Sequence, residues 1–260
     1  MQIGIVGFGH VGNAMKKLFT DAAVYDKNKN VGTREAINEC DIAFVCVPTP
    51  CVADGRCDTS AVEEVISWLT CKVIVIRSTV YVGFTDLMME KYKKEIVFQP
   101  EYYGETTAHP FQNLSSRDWL TFGGNASGIK LAIKAYQSVI NSNIRINQCS
   151  AKEAEIAKYM CNAFLATKVI FCNEMYDICQ ATGINYDIVR EIWVSDPRIG
   201  LSHTFVYEND RGFGGSCFPK DVTAIISQFD ENDVDVSLLR AVLSKNKDYR
   251  NRNSFNRQTS

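Results

Sequence analysis

The sequence predicts an α/β protein: an N-terminal Rossmann-type, doubly wound parallel sheet followed by an all-helical domain built on one long central helix. Three observations carry this. Short apolar runs alternate with helical stretches through the first half of the chain, the pattern of βαβ units. A glycine-rich turn directly follows the first of those runs. From Ala151 to Thr182, apolar residues recur at helical spacing with no Gly or Pro to interrupt them. The expected organisation is a dinucleotide-binding domain over 1–149, a helical domain over 150–250 that would also carry dimer contacts, and a polar tail over 251–260.

In chain order, strands are predicted at Ile3 to Val6, Ala23 to Tyr25, Ile42 to Val47, Val73 to Ile76, Ile96 to Phe98, Leu120 to Phe122 and Ile144 to Ile146, each a short apolar run of the kind buried in a parallel sheet. Between them lie Val11 to Phe19, Thr33 to Glu39, Ser60 to Leu69, Thr85 to Lys94 and Gly128 to Val139, most of them long enough to cross between parallel strands. In the long helix the apolar positions are Ile156, Tyr159, Met160, Ala163, Phe164, Thr167, Ile170, Phe171, Met175 and Ile178, and Gly183 suits its C-cap. Further helices are expected at Tyr186 to Val194, Asp221 to Phe229 and Val236 to Lys245, with fraying after Lys245 where Asn, Arg and Ser dominate.

The 260 residues are 46% hydrophobic and 22% charged, enough for a sizeable core, and the net charge of −2 leaves no electrostatic footprint for nucleic acid or an anionic membrane. The longest apolar runs fall far short of the about 20 residues that span a bilayer. The N-terminus enters a strand without the basic and apolar regions of a signal peptide, so a cytoplasmic protein is expected. The ten cysteines contain no CxxC pair and the three His, at 10, 109 and 203, are scattered, so neither a metal site nor a disulfide framework is expected. Most of these thiols are expected to act as small core hydrophobes.

Two clusters carry chemistry. Gly7-Phe8-Gly9-His10-Val11-Gly12 follows the first strand and opens a helix, the GxGxxG arrangement in which glycines allow a tight turn, backbone approach to a pyrophosphate and close helix packing. Asp26 ends the second strand, where a carboxylate accepts from a ribose 2′-hydroxyl and repels a 2′-phosphate, which favours NAD over NADP. Lys27 and Lys29 temper that preference. In Gly212-Phe213-Gly214-Gly215-Ser216-Cys217-Phe218-Pro219-Lys220-Asp221, a glycine loop delivers one thiol to the start of a helix beside a cation, a setting that favours the thiolate. Beside a hydride acceptor, such a thiol suits aldehyde oxidation through a thiohemiacetal and thioester. A tight turn around a buried Cys is the alternative.

The second cluster resembles the signature of the UDP-glucose/GDP-mannose dehydrogenase family, and other segments agree in order. Val47-Pro48-Thr49-Pro50 with Asp54-Gly55 resembles its VPTP and DG stretch, Ser78-Thr79-Val80 its STV, and Pro100-Glu101-Tyr102-Tyr103-Gly104-Glu105 its PEFxxEG. The segment from Ala154 to Ala166 resembles its central-helix motif, and Asp196-Pro197-Arg198-Ile199-Gly200 its loop before the Cys.

The resemblance implies oxidation of the C6 alcohol of a nucleotide sugar to a carboxylate with two NAD in succession, UDP-glucose first and UDP-N-acetylhexosamine or GDP-mannose as alternatives. It implies Cys217 as nucleophile. Lys158 and Asn162, on one helix face at i and i+4, would stabilise an oxyanion at C6. Glu101 would be the base for thioester hydrolysis, with Thr79 and Asp221 ordering a water or hydroxyl. Cofactor contacts are implied for Val47, Pro48, Thr49, Pro50, Ser78, Thr79, Glu105 and Lys220 beside the GxGxxG residues, and substrate contacts for Glu101, Tyr102, Tyr103, Lys158, Asn162, Phe213 and Gly214. Arg198 would reach a substrate held by a neighbouring subunit, with the central helix forming a homodimer. Family members continue into a further Rossmann-like domain where this chain stops, so a partner supplying that domain is one expectation, and a non-catalytic NAD-binding partner of a longer enzyme is a competing reading. A two-electron hydroxyacid dehydrogenase shares the plan but does not need Cys217.

Overall fold

The computed structural model describes residues 1–102, 118–140, 143–230 and 232–259, with backbone only from 254 onward. It divides into two compact units, 1–52 with 57–158 and 53–56 with 159–260.

The first unit is a seven-stranded sheet in the order β2-β1-β3-β4-β5-β6-β7: Ala23–Tyr25, Ile3–Val6, Ile42–Val45, Val73–Ile76, Ile96–Phe98, Trp119–Gly124 and Arg145–Cys149. The first five strands are parallel. The sheet is the expected doubly wound parallel one with a single antiparallel pairing, β6 against β5, before β6 and β7 run parallel again. An antiparallel neighbour requires no crossover helix, and the sequence offers no helical period between those strands. β3 and β4 are buried at every position, as strands covered on both faces must be. Helices α1 (His10–Leu18), α2 (Arg34–Asn38), α3 (Ser60–Trp68), α4 (Phe84–Tyr92) and α5 (Ala126–Tyr136) supply that cover. One core layer gathers Met15, Phe19, Phe44, Phe122 and Tyr136, and the other Ile37, Val45, Ile66, Ile76, Phe84 and Phe98. Strand order reverses between β1 and β3, and open α/β sheets bind ligands beyond the C-terminal ends of such a strand pair.

α6 (Ala151–Ala181) starts and ends on local signals. At its N-terminus Ser150 and Glu153 form a reciprocal capping box: Ser150 N–H donates to Glu153 Oε2 (2.7 Å) and Glu153 N–H to Ser150 Oγ (3.3 Å). At its C-terminus Gly183 takes φ +69°, and the amides of Ile184 and Gly183 donate to Cys179 O (2.9 Å) and Gln180 O (3.2 Å), a Schellman motif.

The second unit packs α6 with α7 (Tyr186–Val194), α8 (Phe218–Asp230) and α9 (Ser237–Thr259). Its core includes Ala166, Ile170, Phe213, Val222, Ile226 and Tyr249. α9 runs to Thr259, past the fraying expected after Lys245. The reason lies in Asn246, Tyr249 and Asn253, which are buried along it. No helix among the described residues is long and apolar enough to cross a membrane.

Candidate active site

The cofactor side is built at the β1/β3 switch point. Gly7 has φ +91°, and a Cβ there would lie 2.7 Å from Cys46 O at the end of β3. A Cβ on Gly12 would lie 1.9 Å from Gly7 O, so the third glycine lets α1 close on the turn. Gly9 differs: it is the N-cap of α1, and a Cβ on it would meet nothing within 4 Å. The fold does not need glycine there, whereas a ligand brought against the backbone does. A dinucleotide pyrophosphate fits this cradle, with the helix N-terminus favouring its charge. Val11 is half-buried and His10 is exposed.

Asp26 stands at the rim. Its Oδ2 accepts from Phe8 N–H (2.7 Å) and its Oδ1 from the amides of Asn28 (2.9 Å) and Lys29 (3.0 Å). Partial burial works to raise its pKa, but the amides of Phe8, Lys29 and Asn28 and the Lys29 ammonium together hold it below the ordinary aspartate range. A carboxylate has about four lone-pair sites, so one remains for a ribose hydroxyl. Lys29 Nζ donates to Phe8 O (2.7 Å), which ties that cation to the turn.

The loops after β3 and β4 are stitched together. Ser78 Oγ donates to Val47 O (2.6 Å), Thr49 is buried, and Pro48 and Pro50 are exposed. Thr79 is half-buried, and its carbonyl accepts from the Cys57 thiol (3.3 Å).

Glu101 follows β5 and is buried, and Arg77, which is 2% exposed, donates through Nη2 to its Oε2. Lys158, also buried, donates Nζ to Glu101 O (2.5 Å) and lies 5.1 Å from the centre of the Tyr102 ring. Glu101, Tyr102 and Lys158 are therefore brought together, while Arg77, which holds the carboxylate in one orientation, had no signal beyond standing before Ser78. Tyr103 and Glu105 lie outside the described residues. A second carboxylate was also missed. Glu155, fully buried on α6, accepts from the amides of Gly83 (2.6 Å) and Thr85 (3.0 Å) and so caps α4 from a distance. Burial raises its pKa despite those amides.

The nucleophile candidate lies in the second unit. Cys217 is exposed and immediately precedes α8, with its carbonyl accepting from Asp221 N–H (2.8 Å). Its thiol is thus at the end of a 13-residue helix where the dipole favours negative charge. Asp221 is 1% exposed and accepts from Asn162 Nδ2 (2.6 Å) at Oδ2 and Lys220 Nζ (2.6 Å) at Oδ1. One carboxylate therefore aligns the Asn amide and the Lys ammonium in the first turn after Cys217.

The loop leading to Cys217 is held by side chains absent from the sequence-based set. Asn246 Oδ1 accepts from Phe213 N–H (2.7 Å) and its Nδ2 donates to Phe213 O (3.0 Å); Asn253 does the same for Arg211, at 3.1 and 2.8 Å. Arg211 in turn donates to Asn173 Oδ1 (2.7 Å) and Asp177 Oδ1 (2.7 Å). The Phe213 ring is buried in the core of this unit, whereas Gly214 is exposed. Arg198 stands on the loop after α7 with its side chain 86% exposed, forked onto Asp196. Lys168 anchors that loop through the carbonyls of Ile199 and Gly200, both at 2.8 Å.

Two models of the UDP-glucose/GDP-mannose dehydrogenase family match the chain, the NAD binding domain over residues 19–139 and the central domain over 152–248. The UDP-glucose 6-dehydrogenase of Pseudomonas aeruginosa is 33% identical over 228 residues, covering 82% of this chain and 49% of that protein. The UDP-glucose 6-dehydrogenase of Rickettsia bellii is 30% identical over 246 residues, covering 90% of this chain and 56% of that protein. The structure of a UDP-glucose dehydrogenase from Pyrobaculum islandicum superposes with a TM-score of 0.82 at 24% identity, over 95% of this chain and 68% of that one. The chain spans about half the length of the curated relatives it matches.

Proposed function

The chain belongs to the UDP-glucose/GDP-mannose dehydrogenase family, and we propose that it carries out the NAD-dependent oxidation of the C6 alcohol of a nucleotide sugar to the carboxylate, with UDP-glucose as substrate and UDP-glucuronate as product. The observation that carries this reading is Cys217 at the head of α8, next to the Asn162–Asp221–Lys220 chain. A two-electron alcohol dehydrogenase has no use for a thiol there.

Residues Gly7 to Gly12, Asp26, Val47 to Pro50, Ser78 and Thr79 hold the dinucleotide. When bound, NAD supplies the hydride acceptor for both oxidations. In the first oxidation the C6 hydroxyl loses a proton as the aldehyde forms, and Lys158 and Asn162 stabilise the developing oxyanion. Cys217 Sγ then adds to the aldehyde carbon, its proton passing to the new hydroxyl, and the thiohemiacetal gives up the C6 hydride and the hydroxyl proton to leave a thioester on Cys217. Water, activated by Glu101 and ordered by Thr79 and Asp221, attacks the acyl carbon; the C–S bond breaks, the thiol is restored and the acid leaves. Arg198, exposed on its loop, reaches a substrate on a second copy, and a homodimer forms through α6. The nucleotide base is held by the further portion found in the relatives, on a continuation of this chain or on a partner.

The test is to mix the protein with NAD and a panel of nucleotide sugars and to count NADH per acid formed. A ratio near two with one sugar, lost in Cys217→Ala while NAD still binds, is expected. Unchanged turnover in that variant overturns the nucleophile assignment, and NAD binding without turnover of any sugar favours the non-catalytic partner reading.

A further inference from the structure

The loop leaving β3 turns back on itself, and Cys51 faces Cys57 across an antiparallel bridge. The bond beside them runs from Asp58 N–H to Pro50 O (2.8 Å), joining the residues that flank the cysteines, so Cys51 and Cys57 form a non-hydrogen-bonded pair. The other isolated bridge, Asp26 with Val31, exchanges both of its own bonds and is of the wider kind. Narrow pairs bring Cα atoms to about 4.5 Å, inside the span of about 4.4–6.8 Å that a disulfide bridges. The two thiols now engage different acceptors: Cys51 Sγ donates to Val52 O (3.6 Å), and Cys57 Sγ to Thr79 O (3.3 Å) and Thr49 O (4.0 Å). Cys51 is exposed and Cys57 is buried.

We propose that Cys51 and Cys57 form a reversible disulfide across this turn and that it acts as a redox switch on the loops beside it. The oxidant is a low-molecular-weight disulfide such as oxidised glutathione. The exposed Cys51 thiolate attacks one of its sulfurs and releases one small thiol; Cys57 then attacks the mixed disulfide at Cys51 and releases the second. Two protein thiols and one small disulfide become one protein disulfide and two small thiols, so protons and electrons balance. Bonded to Cys51, the Cys57 sulfur no longer donates to Thr49 and Thr79. The consequence for the cofactor rests on the function proposed above: oxidation loosens two NAD-binding loops.

Trypsin cleaves after Arg56, between the two cysteines, so after digestion without reductant the flanking peptides stay together only through a disulfide. After incubation with oxidised glutathione, a linked pair is expected that separates with dithiothreitol and is absent in Cys51→Ser and in Cys57→Ser. No linked pair in the native sequence, or one that persists in Cys51→Ser through Cys40, Cys46 or Cys71, overturns the disulfide. Titration with NAD reads the switch: about two- to tenfold weaker binding in the oxidised protein, the effect of about one hydrogen bond, reversed by dithiothreitol and absent in Cys51→Ser. A linked pair with unchanged NAD affinity overturns the switch alone. Failure of the reduced protein to bind NAD overturns the switch together with the cofactor reading, while the digest still decides the disulfide.

Discussion

The three glycines of the first turn have different physical duties, and a single methyl group separates them. At Gly12 a Cβ would sit 1.9 Å from the Gly7 carbonyl oxygen, a backbone atom that cannot move aside. Gly12→Ala is expected to cost about 3 kcal/mol in urea unfolding. At Gly9 the φ of −76° suits alanine and the space is open. Gly9→Ala should leave stability within about 0.5 kcal/mol while weakening NAD about tenfold or more by filling the pyrophosphate cradle. Equal destabilisation by the two variants would refute this division. Asp26 adds a pH signature. Its folded pKa lies below the ordinary aspartate range, so its contribution is present above the unfolded pKa and is lost as pH falls through the folded one. Asp26→Asn should flatten the acid limb of the stability curve below about pH 4 and weaken NAD at neutral pH. These residues were legible because GxGxxG and the strand-end Asp are local patterns. Arg77 and Glu155 were not, since an isolated polar residue next to an apolar run carries no period that announces burial; only the fold brings Arg77 to Glu101 and Glu155 to the start of α4.

At the level of elements, most strands and helices of the first unit lie within a few residues of their predicted bounds, because apolar runs and glycine turns are signals carried within each segment. α9 is the exception, and its failure is instructive. The Asn-rich stretch after Lys245 has no apolar stripe to read, yet Asn246 and Asn253 lie seven residues apart, two turns along one side of the helix, and each grips a backbone N–H and C=O of the loop ahead of Cys217. A Cβ on Gly212 would come within 2.5 Å of Asn246 Oδ1, so the glycine and the amide fit as a pair. Asn246→Ala leaves two buried peptide groups without their partner and is expected to cost about 2–4 kcal/mol. Hydrogen exchange at the Phe213 amide should accelerate, and turnover should fall more than affinity for NAD. Exchange as slow as in the native protein would show that the loop holds its shape without α9.

For the whole molecule, the periodicity of α6 is partitioned in a way that the sequence pattern could not resolve. Tyr159, Ala163, Ala166 and Ile170 are buried, but Met160, Phe164, Phe171 and Ile178 are 71%, 63%, 47% and 53% exposed. At about 100° per residue these four positions fall within about 40° of arc, a single apolar face. Ile188 and Ile192 on α7 are also exposed. The homodimer proposed above would bury this surface, with a two-fold axis setting the α6 faces against each other. Phe164→Glu then acts twice per dimer, and losing about 1.5–3 kcal/mol of burial at each copy raises the dimer Kd about 100-fold or more. Because Phe164 is largely exposed within its own chain, circular dichroism and NAD binding should be unchanged, while sedimentation should move from dimer to monomer at micromolar concentration. If the native chain already sediments as a monomer at every concentration tested, the face is not a self-association surface, and Arg198 cannot then reach a substrate on a second copy.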